Sequence, residues 1–170
     1  VVAAEAAISA ESFKSLPPAA AGRTLPLKIA VPGETLNEAL SVLTDGRLAP
    51  NYGPVFGNGV STGAYKVDLG AVKSVGAVLT FSYNQNKNRG RQNFVLYGSA
   101  AASDPGWNVL DDKTFTPLAV VDTQADPSSV YVGTRVGAAG GAPLGAYRWL
   151  VWRVFPVTDS ADGENTAFQE

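Results

Sequence analysis

The stretch AYKVDLGAVKSVGAVLTFSY, residues 64–83, decides the fold class because it holds two strand-length runs separated by a glycine-containing turn. The runs Ala64 to Leu69 and Val75 to Tyr83 are enriched in β-branched and aromatic residues, which suit an extended and half-buried backbone. Short runs of this kind, bounded by turn residues, are typical of antiparallel sheets. The stretch therefore predicts two consecutive β-strands.

Further runs of the same kind lie on both sides of this stretch: Leu25 to Val31, Asn93 to Gly98, Thr116 to Asp122, Val130 to Val136 and Tyr147 to Val157. Between them stand residues that tolerate or preset turn geometry, such as Gly57-Asn58-Gly59 and Asp104-Pro105-Gly106. Many short strands with regular turn signals predict an all-β fold, an antiparallel β-sandwich or jelly roll.

One helix and one leader segment depart from this pattern. In Glu34 to Leu43 the apolar residues recur at helical spacing, which predicts a short helix. Residues 1–24 are rich in alanine and contain the pair Pro17-Pro18, a composition typical of a linker. The part from Ala3 to Leu16 is compatible with a short helix. We expect a leader over residues 1–24 and one sandwich domain over residues 25–170.

The composition excludes several function classes. The chain of 170 residues has no histidine, cysteine or methionine, so thiol and imidazole catalysis, disulfides and metal sites with nitrogen or sulfur ligands are excluded. Thirteen basic against fifteen acidic residues give a net charge of -2, opposite in sign to a nucleic-acid binder. No apolar run is long enough for a membrane span. A start at Val1 without any methionine fits a processed terminus, and we expect a secreted or cell-surface protein.

Fragments in a fixed order resemble the discoidin or coagulation factor type C domains, a galactose-binding-like family that includes many carbohydrate-binding modules. They are Leu43-Thr44-Asp45-Gly46 with Tyr52, Ala64 to Gly70 with the run after it, Arg91 to Ser99 with Trp107, Ala146 to Val151, and Ala167-Phe168-Gln169-Glu170. The resemblance covers residues 25–170 and implies a galactose-binding-like jelly roll.

The resemblance also implies a structural calcium ion. Asp45 and Glu170 would supply carboxylates, and the carbonyl groups of Val42 and Ala167 would complete part of the shell. Oxygen ligands of this kind suit calcium. This sequence has Arg47 and Pro50 where the family has asparagine and threonine, and the alternative for Asp45 is that it caps a turn.

A polar segment from Tyr83 to Arg91 is the candidate ligand site, since it combines amides, cations and an aromatic ring without any acid. Amides and arginine hydrogen-bond hydroxyl groups, and an aromatic ring packs on the apolar face of a sugar. The predicted ligand-binding residues are Tyr83, Asn84, Asn86, Asn88, Arg89 and Arg91, with Tyr52 from a neighbouring loop. A solvated polar hairpin is the alternative. The positive charge leaves both an anionic glycan and an acidic protein surface open.

Neither the tryptophans nor the carboxylates add a second site. Trp149 and Trp152 are an odd number of positions apart and face opposite sides of their strand, so we expect at least one of them to pack in the core. The resemblance places Trp107 at a position that is buried in the family, which implies that it packs in the core. Glycosidase chemistry needs two carboxylates, and Asp111-Asp112 or the group Asp159, Asp162 and Glu164 would offer them. No flanking motif marks either group, so we expect no catalysis, although an accessory role in a larger enzyme fits.

The sequence thus predicts a non-catalytic module that binds carbohydrate, either a polysaccharide or a glycoprotein glycan. The alternative is a structural or adhesive domain of an extracellular or cell-surface assembly that packs against neighbouring domains or sister subunits. The two hypotheses share one fold, so the fold alone does not separate them.

Overall fold

A computed structural model describes residues 8–13, 28–30, 40–44, 48, 63–84, 87, 89–123, 130–157, 166 and 168. The strands within these ranges are β1 (Ile8–Phe13), β2 (Lys28–Ala30), β3 (Gly63–Val75), β4 (Ala77–Tyr83), β5 (Asn93–Ser99), β6 (Thr116–Asp122), β7 (Tyr131–Ala138) and β8 (Gly145–Val154). Short 3₁₀ turns lie at Leu40–Thr44 and Ala139–Gly141.

The strands form two antiparallel sheets. One sheet has the strand order β1-β7-β4 and the other the order β2-β3-β8-β5-β6. The chain passes from β3 to β4, and so from one sheet to the other, across the single residue Gly76. The fold class predicted from the sequence, an antiparallel β-sandwich, is confirmed.

The two faces of the five-stranded sheet are both covered. The inner face supplies Phe94, Leu96, Leu150 and Val154 to the main core, together with residues of the smaller sheet such as Val136. The outer face carries a second apolar cluster, in which Tyr97 and Val151 pack with Val109 and Phe115 of the β5–β6 connection. That connection, residues 100–115, therefore folds over the outside of the sheet.

A residue near the carboxyl terminus closes the core between the sheets. Phe168 pairs with Ser82 of β4, and its ring meets Tyr65 of β3 edge-to-face at a centroid distance of 5.6 Å. Tyr65 and Phe168 are both buried. Phe168 thus belongs to the main core of the sandwich.

The structure corrects some boundaries expected from the sequence. Ile8–Phe13 is a strand paired with β7, so the short helix considered for Ala3 to Leu16 is wrong at these residues. Where the leader ends and the domain begins stays a prediction. The helix expected over Glu34 to Leu43 is observed as a 3₁₀ turn over Leu40–Thr44, and residues 34–39 lie outside the described part.

Other differences are small. Val75 ends β3 instead of opening β4, because residues 70–75 continue β3 beyond a register shift between Asp68 and Lys73. The last strand ends at Val154, before the expected Val157. The described residues include no helix with the length and apolar character needed to cross a membrane.

Candidate functional site

The polar segment singled out from the sequence is the connection between β4 and β5, at the end of the sandwich where β4 stops and β5 starts. We call residues 84–91 the polar loop. The structure describes Tyr83, Asn84, Arg89 and Arg91 of the predicted ligand set. Asn86, Asn88 and Tyr52 lie outside the described residues, so their predicted role stays untested.

Asn84 closes the polar loop on itself. Its backbone N–H donates to Val130 O at 2.7 Å, and its carbonyl oxygen accepts from Lys87 N at 3.0 Å. Its side-chain Oδ1 accepts from Gly90 N, also at 3.0 Å. Asn84 is only 6% exposed. The amide of Asn84 therefore has an internal structural role in the loop.

Glycine is required at position 90 for a steric reason. A Cβ atom there would lie 2.8 Å from Cβ of Asn84 and from Cγ2 of Val132, closer than carbon atoms approach in proteins. At the tip of the loop, the exposed Lys87 has a φ of 67°, the left-handed region that non-glycine residues seldom adopt. The second stem of the loop, at Gly90, is thus packed closely against Asn84 and Val132.

The two arginines of the loop differ in their surroundings. Arg91 donates from Nε and Nη2 to Oδ1 of Asp122 at 3.2 and 2.9 Å, and its carbonyl oxygen accepts from Thr166 Oγ1 at 2.6 Å. Arg89 is 6% exposed. The structure therefore brings both arginines to this end of the sandwich, with Arg91 in an ion pair and Arg89 buried.

A tyrosine pair lies next to the loop, and the sequence reasoning found only one of its members. Tyr83 and Tyr131 are directly opposite each other on β4 and β7, with ring centroids 5.8 Å apart. The Tyr131 hydroxyl donates to Leu48 O at 2.9 Å, and burial, with a smaller contribution from Tyr83, raises the pKa of Tyr131. In the sequence, Tyr131 is visible only as a residue near the start of a predicted strand. Its position opposite Tyr83 follows from the β4–β7 register, which the sequence does not show.

A different polar cluster fastens the β5–β6 connection to the outer face of the sheet. Lys66 of β3 is 2% exposed, and its Nζ lies 2.5 Å from Oδ1 of Asp104 and 3.1 Å from Gly106 O. The same ammonium stands 4.0 Å from the centroid of the Trp107 ring. We call Lys66, Asp104, Gly106 and Trp107 the lysine clamp.

A second ion pair lies beside the lysine clamp. Arg148 of β8 donates to both carboxylate oxygens of Asp68, at 2.9 and 3.0 Å, and to the carbonyl oxygen of Ala102. Trp149 of the same strand is buried, and its Nε1 donates to Ala101 O at 2.9 Å. Both contacts hold the start of the β5–β6 connection against the sheet.

The tryptophans have structural contacts in all three cases. Trp149 faces the outer side of the sheet under the β5–β6 connection, whereas Trp152 packs against the main core and donates to Thr80 Oγ1 at 3.0 Å. The opposite orientation of the two residues, expected from their spacing, is what the structure has. Trp107 is half-buried against the Lys66 ammonium, instead of deep in the core.

Of the carboxylates that the sequence offers for catalysis, the structure describes Asp111 and Asp112, whereas Asp159, Asp162 and Glu164 lie outside the described residues. Asp111 accepts hydrogen bonds from Lys113 N and Thr114 Oγ1 within its own turn, which gives it a local structural role. No group of three or more acidic residues is close enough to hold a metal ion within the described ranges. Of the calcium ligands implied by the resemblance, only Val42 is described; Asp45, Ala167 and Glu170 lie outside these ranges.

Comparisons with known proteins identify the fold. No family model matches the sequence, and no curated protein is similar to it. The family 32 carbohydrate-binding module of NanJ from Clostridium perfringens, solved in complex with galactose, is similar with a TM-score of 0.52 and 11% identity, over 84% of this chain and 90% of that chain.

A second solved structure gives the same result. It contains the CBM32-1 and CBM32-2 domains of ZmpB from Clostridium perfringens in complex with GalNAc, and the likeness has a TM-score of 0.52 and 12% identity. It covers 85% of this chain and 35% of that chain. This chain therefore has the discoidin-like β-sandwich fold of family 32 carbohydrate-binding modules, as the sequence fragments predicted.

Proposed function

We propose that this chain is a non-catalytic module that binds carbohydrate through the polar loop. The observation that carries the proposal is the fold, which this chain shares with modules solved in complex with galactose and with GalNAc. The proposal covers carbohydrate in general, because the identity of 11 to 12% supports no specific sugar.

The geometry of the polar loop supports this use. Asn84 accepts hydrogen bonds from Gly90 N and from Lys87 N, so the two ends of the loop are joined through Asn84. Lys87 is exposed, while the half-buried Tyr83 and Tyr131 lie at the foot of the loop. Rigid presentation of a few polar groups lowers the entropy that is lost on binding, which suits the recognition of a sugar surface.

The same geometry changes the roles that we assign to the predicted residues. Asn84 is engaged within the loop, and Arg91 is paired with Asp122, so we propose that both act by shaping the loop. The direct contacts to sugar would come from Lys87, from Asn86 and Asn88, and from the ring of Tyr83 or Tyr52. A weak site of this kind gains affinity when several modules, or a catalytic partner, share one chain.

The test is affinity electrophoresis and calorimetry against galactose, GalNAc and a panel of soluble polysaccharides. We expect millimolar to micromolar binding by the wild-type chain, and a loss of about tenfold or more in Asn86→Ala and Lys87→Ala. Tenfold corresponds to about 1.4 kcal/mol, the size of one or two lost hydrogen bonds. Lys113→Ala is the matched control, because Lys113 is an exposed lysine on the β5–β6 connection.

The structural or adhesive alternative gives a different result in this test. An extended apolar surface is the feature that would favour this alternative, and Trp152 does not contribute to one because it packs against the core and donates to Thr80 Oγ1. The exposed Leu110 and Val120 are the described residues that favour it most. Folded protein that binds none of the sugars and forms oligomers sensitive to Leu110→Ser and Val120→Ser would replace our proposal with this one. Secretion or display at a cell surface fits both.

A structural calcium ion is a second, independent proposal. We propose that Asp45 and Glu170, with the carbonyl groups of Val42 and Ala167, hold a structural calcium ion, since hard oxygen ligands are those that calcium prefers. Val42 lies in a 3₁₀ turn whose Leu40 and Leu43 pack against the core. Millimolar calcium should raise the melting temperature of the wild-type chain and leave that of Asp45→Ala unchanged. Equal melting curves with calcium and with a chelator would exclude the ion.

A further inference from the structure

Gln92 lies directly between the polar loop and β5 and is completely buried, with 0% of its surface exposed. Its side-chain Nε2 donates to Thr80 O at 3.0 Å and to Val132 O at 3.1 Å, which lie on β4 and β7. It also donates to Ser82 Oγ at 3.1 Å. One amide group thus contacts two paired strands of the smaller sheet, β4 and β7.

Ser82 transmits this contact to the loop. The Ser82 hydroxyl accepts from Gln92 Nε2 and donates to Gly90 O at 2.5 Å, while Val132 O is farther away at 3.3 Å. A hydroxyl that both accepts and donates polarises the bonds on either side of it. Gln92, Ser82 and Gly90 therefore form a continuous hydrogen-bonded chain from the sheet to the second stem of the loop.

The backbone around Gln92 ties two further segments to the same point. Gln92 N donates to Thr123 Oγ1 and Gln92 O accepts from Thr123 N, both at 2.9 Å. Arg91 O accepts from Thr166 Oγ1 at 2.6 Å. Residues 90, 91 and 92 are thus each held by a different part of the chain: β4, the segment at Thr166, and the end of β6.

The side chain of Gln92 is not the choice that stability alone would favour. Its Oε1 is buried without a hydrogen-bond partner in the described part of the chain, and such an oxygen lowers stability. The acceptors Thr80 O and Val132 O are main-chain groups of the paired strands β4 and β7. They therefore do not depend on Gln92 alone for a hydrogen-bond donor. An apolar side chain of the same length would fill the space without an unpaired oxygen, but it would remove the donor to Ser82 Oγ that orients this hydroxyl towards Gly90 O.

We propose that Gln92 is a positioning residue for carbohydrate binding: through Ser82 it fixes the second stem of the polar loop and so holds the loop in its binding conformation. This inference rests on the proposed function, because it assigns the polar loop to the sugar. Gln92 itself touches no ligand. Its contribution to affinity comes from keeping the loop ordered before the sugar arrives.

The experiment combines hydrogen exchange with sugar affinity in Gln92→Met. Methionine keeps the length of the side chain and removes both N–H donors. We expect amide exchange in residues 84–92 to become about tenfold faster or more and affinity for the retained sugar to fall several-fold. Exchange in residues 100–115 should stay unchanged, and the melting temperature should stay within about 5 °C of the wild type.

Two further variants make the result specific. Ser82→Ala cuts the chain at its middle link and should reproduce the faster exchange of the loop, which keeps the test valid if Gln92→Met does not fold. Thr134→Val is the matched control: Thr134 is also buried on the smaller sheet, and its Oγ1 has no partner among the described residues. It should change neither loop exchange nor affinity.

The outcomes separate this inference from the proposed function. Unchanged loop exchange in Gln92→Met and Ser82→Ala overturns the inference, and so does faster exchange spread equally over residues 84–92 and 100–115. Faster loop exchange with unchanged affinity also overturns it, because the loop then binds without being held. If the wild-type chain binds no sugar, the proposed function fails, and loop-restricted exchange still supports Gln92 as the residue that positions this loop.

Discussion

The connections before and after β5 leave opposite ends of the same strand, and the chain holds them by different chemistry. At the polar loop before β5, the amides of Asn84 and Gln92 and the hydroxyl of Ser82 make the internal hydrogen bonds, and Arg91 adds an ion pair with Asp122. The β5–β6 connection after it is held by ionised groups, Lys66 with Asp104 and Arg148 with Asp68. Tryptophan rings accompany the ionised groups only at the second end, among the described residues.

This difference explains how each connection is placed. The β5–β6 connection lies against the sheet, because it supplies Val109 and Phe115 to an apolar cluster and Asp104 to the ion pair with Lys66. The polar loop is fixed at its two stems, and its tip, with Lys87, stays exposed. The comparison teaches that a buried ammonium with tryptophan rings secures the β5–β6 connection, whereas amides, hydroxyls, an arginine ion pair and a tyrosine pair form the end proposed to bind sugar.

The largest expected effect comes from removing the carboxylate of Asp104, the exposed member of the ion pair in the lysine clamp. Asp104→Ala should lower the free energy of unfolding by about 3 kcal/mol, because it leaves the Lys66 ammonium buried without its carboxylate. Lys66→Met should cost about 1 kcal/mol or less, since the side chain of Asp104 is 61% exposed and water replaces the lost partner. Urea unfolding measures both.

The control for this pair is Asp112→Ala, which removes an exposed carboxylate from the same connection and should change stability by less than about 0.5 kcal/mol. If Lys66→Met costs as much as Asp104→Ala, the clamp depends on the aromatic contact with Trp107 and not on burial of an unpaired charge.

At the other end, the corresponding test is steric. Gly90→Ala should cost about 2 kcal/mol, because the added methyl group meets Asn84 and Val132 at 2.8 Å and forces the loop stem away from β7. Gly76→Ala is the matched control, since no atom lies within 4 Å of its Cβ position, and it should stay within about 0.5 kcal/mol of the wild type. A neutral Gly90→Ala would mean that the loop is not packed as tightly as its hydrogen bonds indicate.

Acid should lower the stability that the ion pair of Asp104 with Lys66 gives to the β5–β6 connection. The hydrogen bond from Lys66, followed by that from Gly106 N, holds the pKa of Asp104 below its ordinary value of 3.8. A folded-state pKa below the unfolded value means that the contribution is fully present above the unfolded pKa and is lost as the pH falls below about 4. Melting temperatures from pH 7 to pH 2 should fall by a few degrees more in the wild type than in Asp104→Asn. Parallel curves would remove Asp104 from the acid response.

Much of the fold could be predicted from the sequence, because side-chain alternation and turn residues are local properties. The strand Thr116–Asp122 is found at the expected residues, and the opposite orientation of Trp149 and Trp152 follows from strand geometry alone. Strand β1 was missed for the converse reason. Its alanine- and serine-rich sequence has weak strand propensity, and its conformation depends on pairing with β7.

The sequence identifies the polar residues of the loop but not their hydrogen-bond partners, for a physical reason. The type of residue at Asn84 or Arg91 shows that it can hydrogen-bond, but the partner is decided by contacts distant in sequence, such as those to Val130 and Asp122. Lys66 shows the same limit: a lysine between Tyr65 and Val67 is expected to face water, and it is buried only because residues 104–107 cover it.

The smallest expected effect concerns two arginine ion pairs, one at each end of β5. Arg148 engages both carboxylate oxygens of Asp68, whereas Arg91 reaches Asp122 through one oxygen only. The side chains of Arg148 and Asp68 are 26% and 11% exposed, against 16% and 50% for Arg91 and Asp122. Two-oxygen geometry and less solvent around the acid both strengthen a pair.

Double-mutant cycles to alanine should therefore give a coupling of about 0.5 kcal/mol or less for Arg91 with Asp122 and a larger one for Arg148 with Asp68. The coupling of Arg91 with Asp122 should fall further in 0.5 M salt, because water and ions screen an exposed pair. Equal couplings at low salt would show that Arg91 is held as firmly as Arg148. The polar loop would then be held by charge as well, and the contrast between the two ends of β5 would be one of burial alone.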